Sequence, residues 1–459
     1  MFYAWGGPVY LALLALMVVP HYLAGLAIAR IPAQGRAGRR LAAALLALIL
    51  ILDLGILLLN RVGVSIPLAH PWAGARFVRR AGHLGVSFLV LALMSYVIDV
   101  HRRQVASAHD PIRFTAWLAL FPKIVAGPIV RWRDLGPQLA RPRISRAGFA
   151  SGVRRFVTGL AKKVLIADTL ATPVNEIFSA PPSSVTAGAA WLGAIGFALQ
   201  LVYDFSGYSD MAIGIARMCG LEFAENFDHP YVSRSIREFW RRWHISLSQW
   251  LRDYVHLPLA YSVSRWIVAD RVLNIRAETW AYASATLVTM LLCGLWHGIT
   301  WGCVIWGLWL ALALIVEASR SGKWMLRRLG SPGRLVLTQW IVLMGWVVFR
   351  APSLSRALEL LRAMYGLPAG VAAEGERISL ATLLDRPLAL ALVCGVIGCA
   401  PLGSILRRAG ARVEAGAGAG SWIPAGLAFG EVGLLLALLL LTLVTMAGGT
   451  YTPFVYQQF

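Results

Sequence analysis

The stretch Leu291-Leu292-Cys293-Gly294-Leu295-Trp296-His297-Gly298-Ile299-Thr300-Trp301 sets one histidine between two apolar runs, Tyr282–Trp296 and Trp301–Val316. Runs of this kind approach the ~20 residues that cross a bilayer. Seven more occur: Val9–Ala29, Leu41–Leu59, Leu84–Val100, Ala187–Val202, Leu335–Phe349, Leu388–Ile405 and Leu427–Met446. The 459-residue chain is 58% hydrophobic and only 14% charged, against roughly 25% charged in soluble domains. These features predict an all-α polytopic membrane protein. Met1-Phe2-Tyr3-Ala4-Trp5 lacks the basic start of a cleaved signal peptide, so the first span is expected to be retained.

Net charge is +21. The basic residues gather at Arg30, Arg36, Arg39 and Arg40 and in segments 101–163, 234–276, 320–334 and 407–412. Clusters between apolar spans follow the positive-inside pattern of cytoplasmic loops, so the charge does not signal nucleic acid. The first ten residues and Gly448–Phe459 are uncharged, which sets both termini outside and requires an even number of spans, about ten. Loop 60–83 disagrees, with Arg61, Arg76, Arg79 and Arg80 where an outer loop is expected. The five cysteines have no metal-ligand spacing and read as small buried hydrophobes, and no metal site is expected. No internal repeat or second soluble domain is evident.

Phe114–Val130 carries Pro122, Lys123, Gly127 and Pro128. Proline removes an amide donor, and irregular backbone at membrane depth survives only inside protein or along a cavity. A re-entrant or broken helix is expected there. Gly159–Leu170, with Lys162, Lys163 and Asp168, and Ser235–Val255, with Trp240, Trp243, Trp250 and several arginines, read as interfacial helices. Segments 366–386 and 411–423 read as loops.

An imidazole at membrane depth is energetically expensive and exchanges a proton near neutral pH. His297 is therefore the first catalytic candidate, although a core histidine bonded to a neighbouring helix fits the residues equally well. Gly294 and Gly298 allow close approach, and Trp296, Trp301, Trp306 and Trp309 could wall a cavity. In Phe239–Tyr254, tryptophans and arginines suit an interfacial anchor. That reading leaves His244 and Asp253 unexplained. Asp204 and Asp210 interrupt an apolar run, with Arg217 or the 234–252 arginines as expected partners; an ion pair and catalysis both remain open. No Ser–His–Asp set, phosphate loop or HExxH occurs. A histidine without a nucleophile suits acyl transfer from a thioester to a hydroxyl.

Seven blocks in order resemble the membrane-bound O-acyltransferases, and within them the bacterial alginate O-acetyltransferase type. They are Ser95–Val100, Phe121–Asp134, Gly159–Asp168, Asp204–Asp210, Phe239–Asp253, Gly294–Trp301 and Trp346–Pro352. Tyr451–Phe459 looks familial too. The resemblance implies about 10–11 transmembrane helices with re-entrant and interfacial helices around a central tunnel, in one domain over 1–459 (spans 1–113, core 114–350, C-terminal part 351–459). It implies catalytic roles for His297 and for His244, the less settled of the two. Trp296, Trp301, Asp204, Asp210, Asp253, Arg241 and Arg242 become candidates to line the tunnel or substrate. It further implies a multi-pass protein of the bacterial inner membrane with no tightly bound cofactor. An acyl thioester such as acetyl-CoA would enter from the cytoplasm. A polysaccharide hydroxyl or a periplasmic acetyltransferase partner would stand outside. Ala260-Tyr261-Ser262-Val263-Ser264-Arg265 departs from the usual Gly-Gly-Asn-Arg run, which leaves the polysaccharide open. Peptidoglycan O-acetylation and teichoic-acid D-alanylation are the alternatives within the class. A solute or proton transporter is the distant one, with Asp204, Asp210, His244 and His297 along its path.

Overall fold

Apolar runs become helices because, in lipid, each backbone N–H and C=O must find its partner within the segment. The computed structural model describes residues 8–32, 34–62, 85–124, 127–267, 269–273, 275–367, 377–403, 410 and 423–449. Its main helices are α1 (Pro8–Arg30), α2 (Arg36–Val62), α3 (Val86–His101), α4 (Pro111–Ala119), α5 (Trp132–Ala140), α6 (Arg146–Ala161), α7 (Asp168–Ser179) and α8 (Ala187–Met218). There follow α9 (Ile236–Arg242), α10 (Ile245–Leu251), α11 (Leu257–Trp266), α12 (Ala277–His297), α13 (Trp301–Ala318), α14 (Arg320–Arg328), α15 (Gly330–Arg350), α16 (Leu354–Met364), α17 (Arg386–Gly398) and α18 (Ile423–Gly448). Helices α1, α2, α8, α12, α13, α15 and α18 are long and apolar enough to cross a membrane, and α3 and α17 are apolar but shorter. All nine apolar runs of the sequence thus reappear as helices in an all-α, multi-pass protein. The discordant loop at 63–84, segments 368–376 and 411–422, and the C-terminal 450–459 lie outside the described residues.

The chain packs as two compact units, Met1–Val153 with Ala212–Glu225, and Arg154–Met211 with Asn226–Phe459. In the first, the expected break within 114–130 is present. Asp110 caps α4 by accepting from the Ile112 and Arg113 amides, with Pro111 at the first turn, a strong helix start. The helix stops at Ala119 and gives way to a 3-10 turn, Phe121–Lys123. Trp117 Nε1 donates to the Val130 carbonyl at 3.1 Å. In α1 and α2, His21 and Asp53 form a fully buried pair at 3.0 Å.

In the second unit the two segments expected to be interfacial helices are each interrupted, and part of each packs inward. Helix α6 runs through a π-helical turn, Lys162–Ala167, into α7. At this π turn Lys162 and Lys163 meet acids of α8, Asp210 and Asp204. Gly159 and Gly207 permit that contact: a Cβ on either would meet the other's carbonyl oxygen. Likewise 235–255 is not one surface helix. It breaks at His244 into α9 and α10, and the break turns Phe239, Trp243 and Trp250 into the core. Trp243 stacks on Phe239 at 5.7 Å and reaches Trp346 of α15 at 5.1 Å. Desolvating these rings is worth roughly 1.5–3 kcal/mol each.

Candidate active site

Helices α12 and α13 are antiparallel neighbours joined by Gly298-Ile299-Thr300. Gly294 and Gly307 let them touch, since a Cβ on Gly294 would strike the Cys303 carbonyl and one on Gly307 that of Met290. Thr300 caps α13 by accepting from the Cys303 amide. This tight hairpin fixes His297, the last residue of α12, against rings from three helices. Its imidazole lies 4.7 Å from Trp296, 5.4 Å from Trp306 and 5.4 Å from Phe349, each nearly edge to face. Trp346 stacks on Trp306 at 5.7 Å and backs the cage. His297 is 6% exposed. A water-poor aromatic pocket strengthens any interaction of this imidazole with a reacting group.

Trp296 also approaches the second histidine, with its ring 6.3 Å from His244. The backbone of His244 is left-handed, at φ 41° and ψ 55°, a conformation uncommon for a non-glycine residue. Neighbouring hydrogen bonds hold it: Ile245 N donates to Asn226 O at 2.9 Å and Asp228 N to Arg242 O at 2.9 Å. The ring packs edge-on to Phe205 at 4.7 Å, and its Nδ1 is 3.2 Å from Asn226 Oδ1. His244 lies outside the seven candidate spans, and its burial drives the imidazolium pKa down to about 3. The ring is neutral at physiological pH.

A cavity of about 490 Å³ is lined by residues of α9, α10, α12 and α13 and the π turn after α10. Arg237, Arg241 and Arg252 contribute its positive charge. Arg237 lies over Tyr282 at 5.9 Å, which fixes that level of the cavity. Met290, also in the wall, is two turns further along α12, and His297 is seven residues beyond it, ~10 Å at 1.5 Å per residue. Trp240 lines the cavity and meets Trp306 of the cage edge-on at 6.1 Å. Its buried Nε1–H has no acceptor among the described residues.

The other sequence candidates fall elsewhere. Asp204 and Asp210 meet cations of α6 and its π turn where Arg217 or the 234–252 arginines were expected. Lys163 Nζ bridges Asp204 at 2.6 Å and Asp168 at 2.7 Å, while Asp210 takes Lys162 at 2.6 Å and Arg155 at 2.6 Å. Both acids face α6 and its π turn because the Gly159–Gly207 contact brings those lysines alongside. Arg217 instead meets Glu222 and Glu225. Arg242 is engaged by Asp228 and Glu238, and Asp253 by Arg252. Arg241 remains at the cavity. Trp306 walls His297 as expected, but Trp309 binds the Ile341 carbonyl at 2.9 Å, tying α13 to α15. Trp301 is 72% exposed at the start of α13, because the hairpin turns it away from the cage. Sequence reasoning missed Phe349, Trp240 and Asn226 as members of the site. The first two are aromatic residues in apolar or basic runs, without any local signal. Asn226 lies in the loop after α8, well past the Asp204–Asp210 stretch, and carries no local signal either.

A family model described as MBOAT, the membrane-bound O-acyltransferase family, matches residues 38–322. The chain is 35% identical to a probable alginate O-acetylase AlgI of Pseudomonas aeruginosa, over all of this chain and 93% of that protein. It is 39% identical to the Azotobacter vinelandii protein of the same name, over 68% of this chain and 59% of that one. A peptidoglycan O-acetyltransferase of Helicobacter pylori is 30% identical over 62% of this chain and 57% of its own length. With more than half its residues under the family model and a relative matched along its full length, the chain belongs to the membrane-bound O-acyltransferase family and is an O-acyltransferase.

Proposed function

We propose that the protein O-acetylates an exported polysaccharide, alginate or one like it, from the bacterial inner membrane. Acetyl-CoA or another acetyl thioester on the cytoplasmic side is the donor. A polysaccharide hydroxyl, or a periplasmic acetyltransferase that relays the group, is the acceptor. The observation that carries this reading is the His297 cage lying at the end of the same helix that walls an arginine-bearing cavity. Arg237, Arg241 and Arg252 offer charge for the phosphates of a thioester carrier. Trp240 Nε1–H offers a hydrogen bond to a carbonyl of its acyl arm.

In the transfer, the His297 imidazole takes the acceptor hydroxyl's proton as the oxygen attacks the thioester carbon. The C–O bond forms, the C–S bond breaks, and the departing thiolate recovers the proton. No enzyme nucleophile is needed, because the thioester is already activated. A positioned base of this kind contributes about 10²–10⁴ in rate.

The test is His297→Ala, expressed at wild-type abundance in a strain deleted for the gene. Mass spectrometry of secreted and envelope glycans is expected to show O-acetyl groups lost from one polymer, which identifies the acceptor. Undiminished acetylation would overturn the assignment. Loss from peptidoglycan rather than a secreted polymer would move the acceptor to the cell wall.

A further inference from the structure

Asn226 lies within the loop between α8 and α9 and is fully buried. Its side chain joins three elements. Oδ1 receives Ser246 Oγ at 2.9 Å and the Ser246 backbone N–H at 3.3 Å, and it faces His244 Nδ1 at 3.2 Å. Nδ2 donates to Ser209 Oγ of α8 at 3.0 Å. This network fixes the amide orientation. Reversing it would point an NH₂ at the Ser246 N–H, donor against donor. An amide oxygen only accepts, so the His244 nitrogen facing it must carry the proton. Nε2 then holds the basic lone pair.

We infer that Asn226 is the positioning residue that fixes His244 as the Nδ1–H tautomer and holds the ring beside Trp296 for acyl transfer. This rests on the reading of His297 and His244 as the site of that reaction. The left-handed backbone of His244 and the Phe205 ring set where the imidazole lies; the Asn226 amide sets which nitrogen is free of its proton. An amide suits the task because it is neutral. An aspartate would put a full charge beside Nδ1 in a buried site and favour imidazolium. It would also lose the donor to Ser209. The charged groups on the packed elements face elsewhere: Asp204 toward Lys163, Asp210 toward Lys162 and Arg155, Asp228 and Glu238 toward Arg242.

Three measurements test the inference on the full chain in membranes. In protein labelled with ¹⁵N-histidine, the His244 signals, assigned by their loss in His244→Gln, should show a protonated Nδ1 and a bare Nε2 from pH 5 to 8. An Nε2–H or imidazolium pattern overturns the inference without any Asn226 variant. Second, transfer of radiolabelled acetyl-CoA to polymer is followed in washed membranes of the producing strain. Asn226→Asp should add an acidic limb to the pH profile, with rate falling as pH drops below about 7 and recovering above it. A uniform loss at every pH marks a merely structural residue and also overturns it. Third, Asn226→Ala should lower the rate about tenfold to a hundredfold and add nothing in a His244→Ala background. Additive losses refute action through His244. If instead His297→Ala retains wild-type transfer, the reading of the site itself has failed, an outcome distinct from additivity.

Discussion

The second unit buries two kinds of polar group, and they are treated oppositely. On α8, Asp204 and Asp210 each meet cations at 2.6 Å, supplied by Lys163, Lys162 and Arg155. At the cage, the neighbours of His297 are the rings of Trp296, Trp306 and Phe349, and those of His244 include Phe205 and a neutral amide. Charge matched by charge in a buried helix contact holds helices in register, and removing one partner strands the other. Rings and a neutral amide position an imidazole without supplying a charge of their own. The lesson is that burial of an ionisable residue in a membrane protein does not by itself mark chemistry. The company it keeps separates a clamp from a catalyst.

The hardest way to break this comparison is Lys163→Ala. It leaves Asp204 and Asp168 without their shared cation. Removing one member of a buried pair is expected to lower stability by about 3–5 kcal/mol. The fall should appear in the thermal midpoint of the detergent-solubilised protein, while transfer per folded molecule stays at the wild-type rate. A folded Lys163→Ala protein that is stable but inactive would move the α8 acids into the chemistry and erase the contrast.

That contrast was only half legible in the sequence. The helices were, because a ~20-residue apolar run in lipid has one way to satisfy its backbone; α12 and α13 appear almost where Tyr282–Trp296 and Trp301–Val316 place them. His297 was legible for the same reason: a lone imidazole in such a run is conspicuous. The partners of Asp204 and Asp210 were not. They depend on a π turn at Lys162–Ala167, and nothing in Lys-Lys-Val-Leu-Ile-Ala distinguishes that turn from an α-helical one. The break at His244 was hidden too, because tryptophans and arginines that turn into a core carry the composition of a surface anchor. Asn226 escaped because its importance comes from Ser209, His244 and Ser246, brought together by tertiary folding alone.

A smaller effect tests the neutral half of the comparison. The His244 imidazolium has a pKa near 3 in the folded chain, against an ordinary value of 6.5. When pH falls below about 6.5, the unfolded chain gains a proton there that the folded chain refuses. Stability contributed by the neutral ring is therefore full above that pH and declines below it, by at most about 1.4 kcal/mol per pH unit for this one group. The thermal midpoint of the wild type should drop more steeply between pH 7 and pH 5 than that of His244→Gln. Equal slopes would mean that His244 takes its proton as readily in the folded chain as in the unfolded one, and that burial does not hold the ring neutral.

The smallest expected effect draws the outer edge of the site. Trp301 sits four residues after His297 and reads from the sequence as part of the same wall, yet it is 72% exposed where α13 begins. Trp306, one turn further on, holds the ring contact instead, 5.4 Å from His297. Thr300, not Trp301, caps the helix, so truncating Trp301 leaves the hairpin and the cage intact. Trp301→Ala should change acetyl transfer less than about twofold, within the small effect usual for surface positions, whereas Trp306→Ala in the same assay should impair it strongly by opening the cage. A Trp301→Ala loss as large as that of Trp306→Ala would extend the aromatic wall outward past the hairpin. The boundary between ring-lined chemistry and the exposed helix start would then lie beyond residue 301.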